Sequence, residues 1–437
     1  MTTAEVTKAR KRATWAWALW DWAEQPYPTI MQTFVFPTYL ASAVAAEGSH
    51  VDAQIGVATA IAGFLLAITA PVVGRRSDET GRRKFWLVVN TYLLVAIMAV
   101  SFFIEPKPEF LLAGLVLYAL GSVIQESAFI NYYAMLKSVT TEKNIGKISG
   151  YAWGLGYVGG ILLLVVTLFG FIKPIFGEPL PDGLGVRLTF VFAAIWTAVF
   201  TLPLVFRVPE IAAKPGYQKE SIAQSYRSLW KQLTTLRRQA PETFKFLISS
   251  AIYRDGLAGV FTFGAVLGTL AFGFTQSEVI IFGIAANIFA GLGAGLGGWL
   301  DDKLGSRTVI LASLIGLVLA GTGLFIAAPI GPLAYWIFGL ILCLFVGPAQ
   351  ASSRTFVSRF TPKGREGEVF GLYQTTGRAV SFLSGTLWTV SISVAHTAFG
   401  VKDATIYGIW GLMLILGVGA WLLSRVHPRP AVLDEAA

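Results

Sequence analysis

Beyond residue 50, ten stretches of this chain run for 16 to 46 residues without one Asp, Glu, Lys or Arg, and that pattern leaves few folds open. They are residues 53–74, 85–104, 110–125, 148–172, 188–206, 256–277, 279–300, 308–353, 379–401 and 404–424. A helix rising about 1.5 Å per residue crosses a hydrocarbon core of about 30 Å in roughly 20 residues, which is the scale of these runs. Only 14% of the residues are charged, where a soluble protein carries about 25%. The expectation is an all-α membrane protein. Pro329, Gly331 and Pro332 divide the longest run into two helices, giving eleven. A twelfth is expected between Trp15 and Ala46, where Trp15, Trp17, Trp20 and Trp22 suggest an interfacial aromatic belt. This segment carries Asp21, Glu24, Pro26, Pro28 and Pro37, so it is not a secretory signal peptide. No length remains for a separate soluble domain.

The polar composition narrows function. A single cysteine, Cys343, excludes a disulfide framework, and His50, His396 and His427 are too scattered to ligate a metal. No cofactor is expected. The net charge of +9 comes from short clusters flanking apolar runs, with no aromatic-interleaved basic surface, so nucleic acid is not an expected partner. The clusters alternate. Lys8 to Arg12, Arg75 to Lys84, Lys137 to Lys147, eight cations from Arg207 to Lys245, Lys303, Arg307, Arg354 to Arg365, Arg425 and Arg429 fall on one side. The other connections hold only Lys107, Lys173, Arg187 and Lys402. By the positive-inside rule both termini are expected in the cytoplasm.

One connection is long. Within it Ser221 and Gln224 form a capping-box pattern, followed by Ile222, Tyr226, Leu229, Leu233 and Leu236 at helical spacing among Arg227, Lys231, Arg237 and Arg238. This reads as an amphipathic linker on the inner membrane face, at 209–243, between halves at 1–208 and 244–437.

The halves share a repeat. Gly74, Asp78, Gly81 and Arg83 spell G-x-x-x-D-x-x-G-x-R, and Gly298, Asp302, Gly305 and Arg307 spell it again 224 residues later. Gly150 and Gly156 in the fifth span mirror Gly371 and Gly377 in the eleventh. Two six-helix pseudo-repeats are the build of secondary transporters with a midplane site. The duplicated loop resembles the signature of the major facilitator superfamily. Four stretches further resemble the vacuole-effluxer-like family, whose yeast autophagy-related member exports amino acids from the vacuole: residues 17–27 (WALWDWAEQPY), 149–160 (SGYAWGLGYVGG), 253–256 (YRDG) and 361–385 (TPKGREGEVFGLYQTTGRAVSFLSG). The resemblance implies twelve helices, alternating access, export, and a loop that latches the outward-open state. Chemistry gives the loop a contact that one state can make and another break: Asp78 and Asp302 can accept from helix-start amides and from Arg or Lys, while the glycines permit tight turns. The plainer alternative is a solvated turn that fixes topology.

Asp21, Glu24, Glu126, Arg254, Asp255 and Arg378 fall inside the expected spans. Each costs about 2.5 to 3.5 kcal/mol at a helix centre, so they are expected to face an aqueous cavity or one another. Glu24, Asp255 and Arg378 lie about 16 Å along their helices, near the midplane. Gln25, Gln32, Asn131, Asn287, Gln350 and Gln374 join them. Two roles stay open. The charges are either ion pairs serving packing, such as Arg254 or Arg378 with Asp21 or Asp255, or a substrate and proton pathway in which both signs suit a zwitterion. Glu24 and Glu126 are the candidate proton carriers. The strings Gly154, Gly156, Gly159 and Gly293, Gly295, Gly298 lie in apolar runs, so close helix packing rather than dinucleotide binding is expected.

These expectations describe a monomeric, non-enzymatic secondary transporter of a small polar, amino-acid-like solute, coupled to protons, in contact with membrane lipid and placed in a bacterial inner membrane. A drug or lipophilic-cation exporter of the same fold and a non-transporting sensor are the rivals.

Overall fold

The computed structural model describes residues 3–46, 51–172, 174–175, 180–181, 183–210, 237–238, 241–361, 364–401 and 404–427. Among them every regular element is helical. The expected linker helix lies outside the described residues.

Twelve membrane helices form two six-helix pseudo-repeats. The first repeat comprises α1 (Thr3–Glu24), α2 (Val51–Thr80), α3 (Arg83–Ser101), α4 (Leu111–Val139), α5 (Ile145–Thr167) and α6 (Leu184–Arg207). The second comprises α7 (Pro241–Leu270), α8 (Gln276–Leu304), α9 (Ser306–Ala327), α10 (Pro332–Phe360), α11 (Glu366–Ala379 and Leu383–Phe399) and α12 (Gly408–Ser424). Ten of these, among the described residues, are long and apolar enough to cross a membrane. The other two, α1 and α7, carry the charges of greatest interest.

Two spans are irregular. After Glu24 the chain widens into π-helical turns at Tyr27–Phe34 and Leu40–Val44, on either side of a short α-turn at Phe36–Tyr39. Pro26, Pro28 and Pro37 lack the N–H that continuous α-helix needs, so the pattern loosens there. The eleventh span is in two pieces, α11a (Glu366–Ala379) and α11b (Leu383–Phe399), split at residues 380–382. The charge-free run begins only at residue 379, but the helix begins at Glu366, which places Gly371, Gly377 and Arg378 within the eleventh span as expected; a polar helix start tolerates acids.

Two compact units result. One contains Met1–Val139, Leu155–Lys219 and Gly364–Gly371; the other contains Thr140–Gly154, Glu220–Lys363 and Leu372–Ala437. Each unit therefore takes a helix start from the other half of the sequence.

In the first unit Trp17 and Trp20 are fully buried, which corrects their expected place in an interfacial belt. Trp17 stacks on Tyr132 of α4 at 4.3 Å and donates its indole N–H to the Tyr132 carbonyl, while the Trp20 N–H bonds the Thr91 hydroxyl. Because α1 starts at Thr3, these rings sit several turns inside the helix and have buried partners for their N–H groups. In the second unit Phe246 and Phe356 stack at 4.0 Å, and Tyr335 donates to the Gly264 carbonyl. Thr275 and Glu278 close a reciprocal capping box at the start of α8. The Thr275 N–H and hydroxyl hold the exposed Glu278 carboxyl below its ordinary range.

Candidate functional site

Both copies of the duplicated motif sit where two helices cross almost backbone to backbone. In the first unit α2 meets the start of α11a. A Cβ on Gly74 would lie 1.9 Å from the Gly367 carbonyl oxygen, and one on Gly371 would lie 2.6 Å from that of Ala70. Only glycine fits such an approach. Asp78 then accepts from the N–H groups of Gly367 (2.8 Å) and Glu368 (2.9 Å), amides left without intrahelical partners at a helix start. Arg83 donates to Asp78 (2.6 Å), to Glu366 (2.6 Å) and to the Ala134 carbonyl (3.3 Å). Gly81 turns the chain between them with a φ of 64°.

In the second unit α8 meets the start of α5 in the same way. A Cβ on Gly298 would lie 2.4 Å from the Gly146 carbonyl, and one on Gly150 would lie 2.2 Å from that of Ala294. Asp302 accepts from the N–H groups of Gly146 and Lys147, both at 2.8 Å. The cation differs. Arg307, the arginine of the motif, reaches away to the Ser424 carbonyl at the end of α12 (2.6 Å) and is not the cation that meets Asp302. Arg359 of α10 bonds Asp302 (2.9 Å) and Asp301 instead. Gly305 makes the turn with a φ of 84°. Gly146 and Gly367 were legible in principle: with Gly150 and Gly371 they form two G-x-x-x-G steps, the small-residue spacing of close helix crossings.

The membrane-level charges separate by unit. In the first, Asp21 and Glu24 of α1 are buried and Glu126 of α4 is half-buried, and both neighbours act electrostatically on Glu24. Gln125 donates its side-chain N–H to Glu24. Nothing in the sequence singles out this neutral residue beside Glu126. Gly156 of α5 leaves room for Gln25, whose amide nitrogen would be 2.8 Å from a Cβ there. Gln32 donates to Ser122 (3.1 Å), and Tyr27 donates to the Tyr118 carbonyl (3.1 Å). Asn131 turns its amide back on the Ser127 carbonyl of its own helix, and its buried side-chain oxygen has no hydrogen-bond partner among the described residues.

In the second unit Arg254 donates to the Tyr373 carbonyl (3.0 Å) and to the Gln374 side chain (2.7 Å), with its guanidinium 3.8 Å from the centre of the Tyr373 ring. Gly377 makes space for it, since a Cβ would lie 3.2 Å from the guanidinium. Asp255 accepts from the Ser384 N–H (2.6 Å) and hydroxyl (3.1 Å), so it caps α11b at the break. The pairing of Asp255 with arginine, one of the two roles left open by the sequence, is therefore not made; a free helix-start amide is the partner that the break supplies. Arg378 lies half-buried in the last turn of α11a, and Gln350 is half-buried on α10. Asn287 bonds back to the Gly283 carbonyl of its own helix (2.8 Å). Arg354, counted at first among the flanking cations, is wholly buried, bonding the Ser149 hydroxyl (3.0 Å) and carbonyl (2.7 Å).

A twelve-helix chain with a motif duplicated at two helix crossings and charges set within its spans is the form of a transporter, and comparison with known proteins agrees. The vacuole effluxer Atg22-like family matches residues 9–397. The chain belongs to that family. It is 26% identical over 420 residues to the uncharacterised MFS-type transporter YxiO of Bacillus subtilis, covering 94% of each protein. It is 22% identical over 257 residues to autophagy-related protein 22-1 of Neosartorya fischeri, covering 54% of this chain and 41% of the relative. The proton:xylose symporter XylE shares the fold, with a TM-score of 0.72 and 13% identity over 98% of this chain and 97% of that one. This effluxer-family chain is thus a multi-pass transporter of the major facilitator superfamily, built to move a small solute across a membrane.

Proposed function

We propose that the chain exports a zwitterionic, amino-acid-like solute by alternating access, coupled to protons. The observation that carries this reading is the division of charge. The first unit offers buried or half-buried carboxyls at Asp21, Glu24 and Glu126, which suit an ammonium group. The second offers guanidiniums at Arg254 and Arg378, which suit a carboxylate in bidentate geometry. A zwitterion calls on both signs; a plain anion or a lipophilic cation calls on one. Gln25, Asn131, Asn287, Gln350 and Gln374 supply neutral polar surface. Glu24 and Glu126 are the proton carriers, with Gln125 orienting Glu24.

The irregular spans support movement at this level. The loosened turns after Glu24 and the break after Arg378 adjoin charged residues, as in transporters whose sites use discontinuous helices. The two glycine crossings serve as latches that form in one state and break in the other: Gly74, Asp78, Gly81 and Arg83 in one, Gly298, Asp302 and Gly305 in the other, with Arg359 in the role expected of Arg307. In this reading the protein works as a monomer in a bacterial inner membrane, with both termini cytoplasmic.

The test is thermal unfolding of the purified protein against amino acids, dipeptides, sugars, nucleosides and lipophilic cations, since a ligand that binds only the folded state raises the midpoint. A rise with amino acids or dipeptides that Arg378→Ala abolishes is expected. A rise confined to lipophilic cations and untouched by Arg378→Ala overturns the zwitterion reading.

A further inference from the structure

The ends of α8 and α12 and the start of α9 carry a cationic, aromatic patch that transport does not use. Lys303 lies 3.7 Å over the Trp299 ring and Arg425 lies 5.0 Å over the Trp421 ring. Both tryptophans are about half exposed, at 45% and 56%. Arg307, at the start of α9, reaches the Ser424 carbonyl and so ties α9 to the end of α12, one residue from Arg425. None of the three cations meets a carboxylate among the described residues. Asp301 and Asp302, next to Lys303 in sequence, are engaged by Arg359 and by the α5 amides.

Apolar stripes on two helices lead to these cations. On α8 Ile288, Leu292, Leu296, Leu300 and Leu304 are exposed at four-residue spacing, and on α12 Trp410, Leu414 and Val418 repeat it up to Trp421. Toward the helix end a tryptophan and then a cation join each stripe, the sequence of environments that an acyl chain, a glycerol interface and a phosphate present in turn.

The first repeat shows what this position needs. There the start of α3 is neutralised by the chain's own Glu210, whose carboxylate accepts from the Lys84 N–H (2.8 Å) and the Phe85 N–H (2.9 Å), while Lys84 reaches the Val208 carbonyl after α6. At the start of α9 the N-cap is Gly305, which has no side chain to cap the helix, and Lys303 and Arg307 flank it. The first repeat supplies its own anion; the second offers cations to an anion from outside.

We infer that Lys303, Arg307 and Arg425 bind the phosphate headgroup of an anionic phospholipid whose acyl chains lie along the exposed faces of α8 and α12. The patch holds lipid at the rim of the second unit and takes no part in solute binding.

The test is native mass spectrometry of the full chain, released from detergent with phosphatidylglycerol, phosphatidylcholine or inorganic phosphate. Phosphatidylglycerol is expected to stay bound, and the double variant Lys303→Gln/Arg425→Gln to bind it about thirty-fold more weakly, the product of two lost surface cations. Lys107→Gln, on another loop, should leave binding unchanged. Circular dichroism and the unfolding midpoint establish that the double variant is folded, and Lys303→Gln alone provides a milder step of about five-fold. Equal retention of phosphatidylglycerol by the wild type and the double variant overturns the inference. So does equal binding of phosphatidylcholine, or retention of inorganic phosphate without lipid. Phosphatidylglycerol binding that appears only after Asp434→Asn/Glu435→Gln overturns it as well, since the chain's own tail would then be the anion.

Discussion

The two glycine crossings are copies of one device, and they differ in what surrounds it. At both, a four-residue glycine step lets backbones touch and an aspartate accepts two helix-start amides. At the first, the motif's own arginine completes the contact: Arg83 is buried between Asp78 and Glu366, and their side chains are 2% to 7% exposed. At the second, the motif's arginine has left for the end of α12, and the half-open Arg359 from another helix serves both Asp301 and Asp302. The duplicated motif thus preserves the backbone geometry and the acceptor, while the cation is free to come from elsewhere. The sequence difference behind this is small. Where the first crossing has Glu366 at its helix start, the second has Ile145, so Arg307 gains nothing from turning inward.

Steric substitution gives the largest expected effect. Gly74→Val and Gly298→Val should each cost about 3 kcal/mol or more, because their Cβ atoms would sit inside a neighbouring carbonyl that cannot withdraw. Gly56→Ala on the same helix as Gly74, with open space around it, should stay within about 1 kcal/mol of wild type by denaturant unfolding. Similar losses at all three would mean that the crossings are no tighter than the rest of the bundle.

Double-mutant cycles sharpen the difference between the two cations. Arg359 and Asp302 should couple by about 1 to 3 kcal/mol, and Arg83 and Asp78 by a comparable amount. Arg307 and Asp302 should couple by less than about 0.5 kcal/mol, since no contact joins them. Strong coupling of Arg307 to Asp302 would restore the symmetric picture that the motif alone suggests.

The smallest effect lies away from both crossings, at the α8 capping box. The Glu278 carboxyl is held below its ordinary range by Thr275, so its contribution to stability is present above the unfolded value of about 4.3 and is lost as pH falls through the lower folded value. Glu278→Gln should therefore lower the unfolding midpoint slightly at pH 7, and the difference should vanish in acid. A difference that persists at pH 3 would show that the cap does not act through its charge.

Much of this was open to reading from the residues. Charge-free runs fix helices because a bilayer offers the backbone no other partners, and the 224-residue offset fixes the repeat. The buried acids and arginines announce themselves by cost. What stayed hidden are contacts made by residues with ordinary surface chemistry. Gln125 is one polar residue among many until Glu24 meets it, and Arg354 and Arg359 look like flanking cations until α10 proves to extend to Phe360 and carry them inside. Asp255 looked like half of an ion pair because the break in α11 carries no proline or glycine to mark it; its residues, Val380, Ser381 and Phe382, are ordinary helix neighbours.

The central claim is that the crossings govern movement while the membrane-level charges govern binding. It is tested by measuring solute flux in proteoliposomes and ligand affinity by thermal shift side by side, for Asp78→Ala, Asp302→Ala and Arg254→Ala. The account predicts that both aspartate variants slow flux at least ten-fold with affinity held within about two-fold, whereas Arg254→Ala weakens affinity by about ten-fold or more. Equal loss of affinity in all three variants would contradict it.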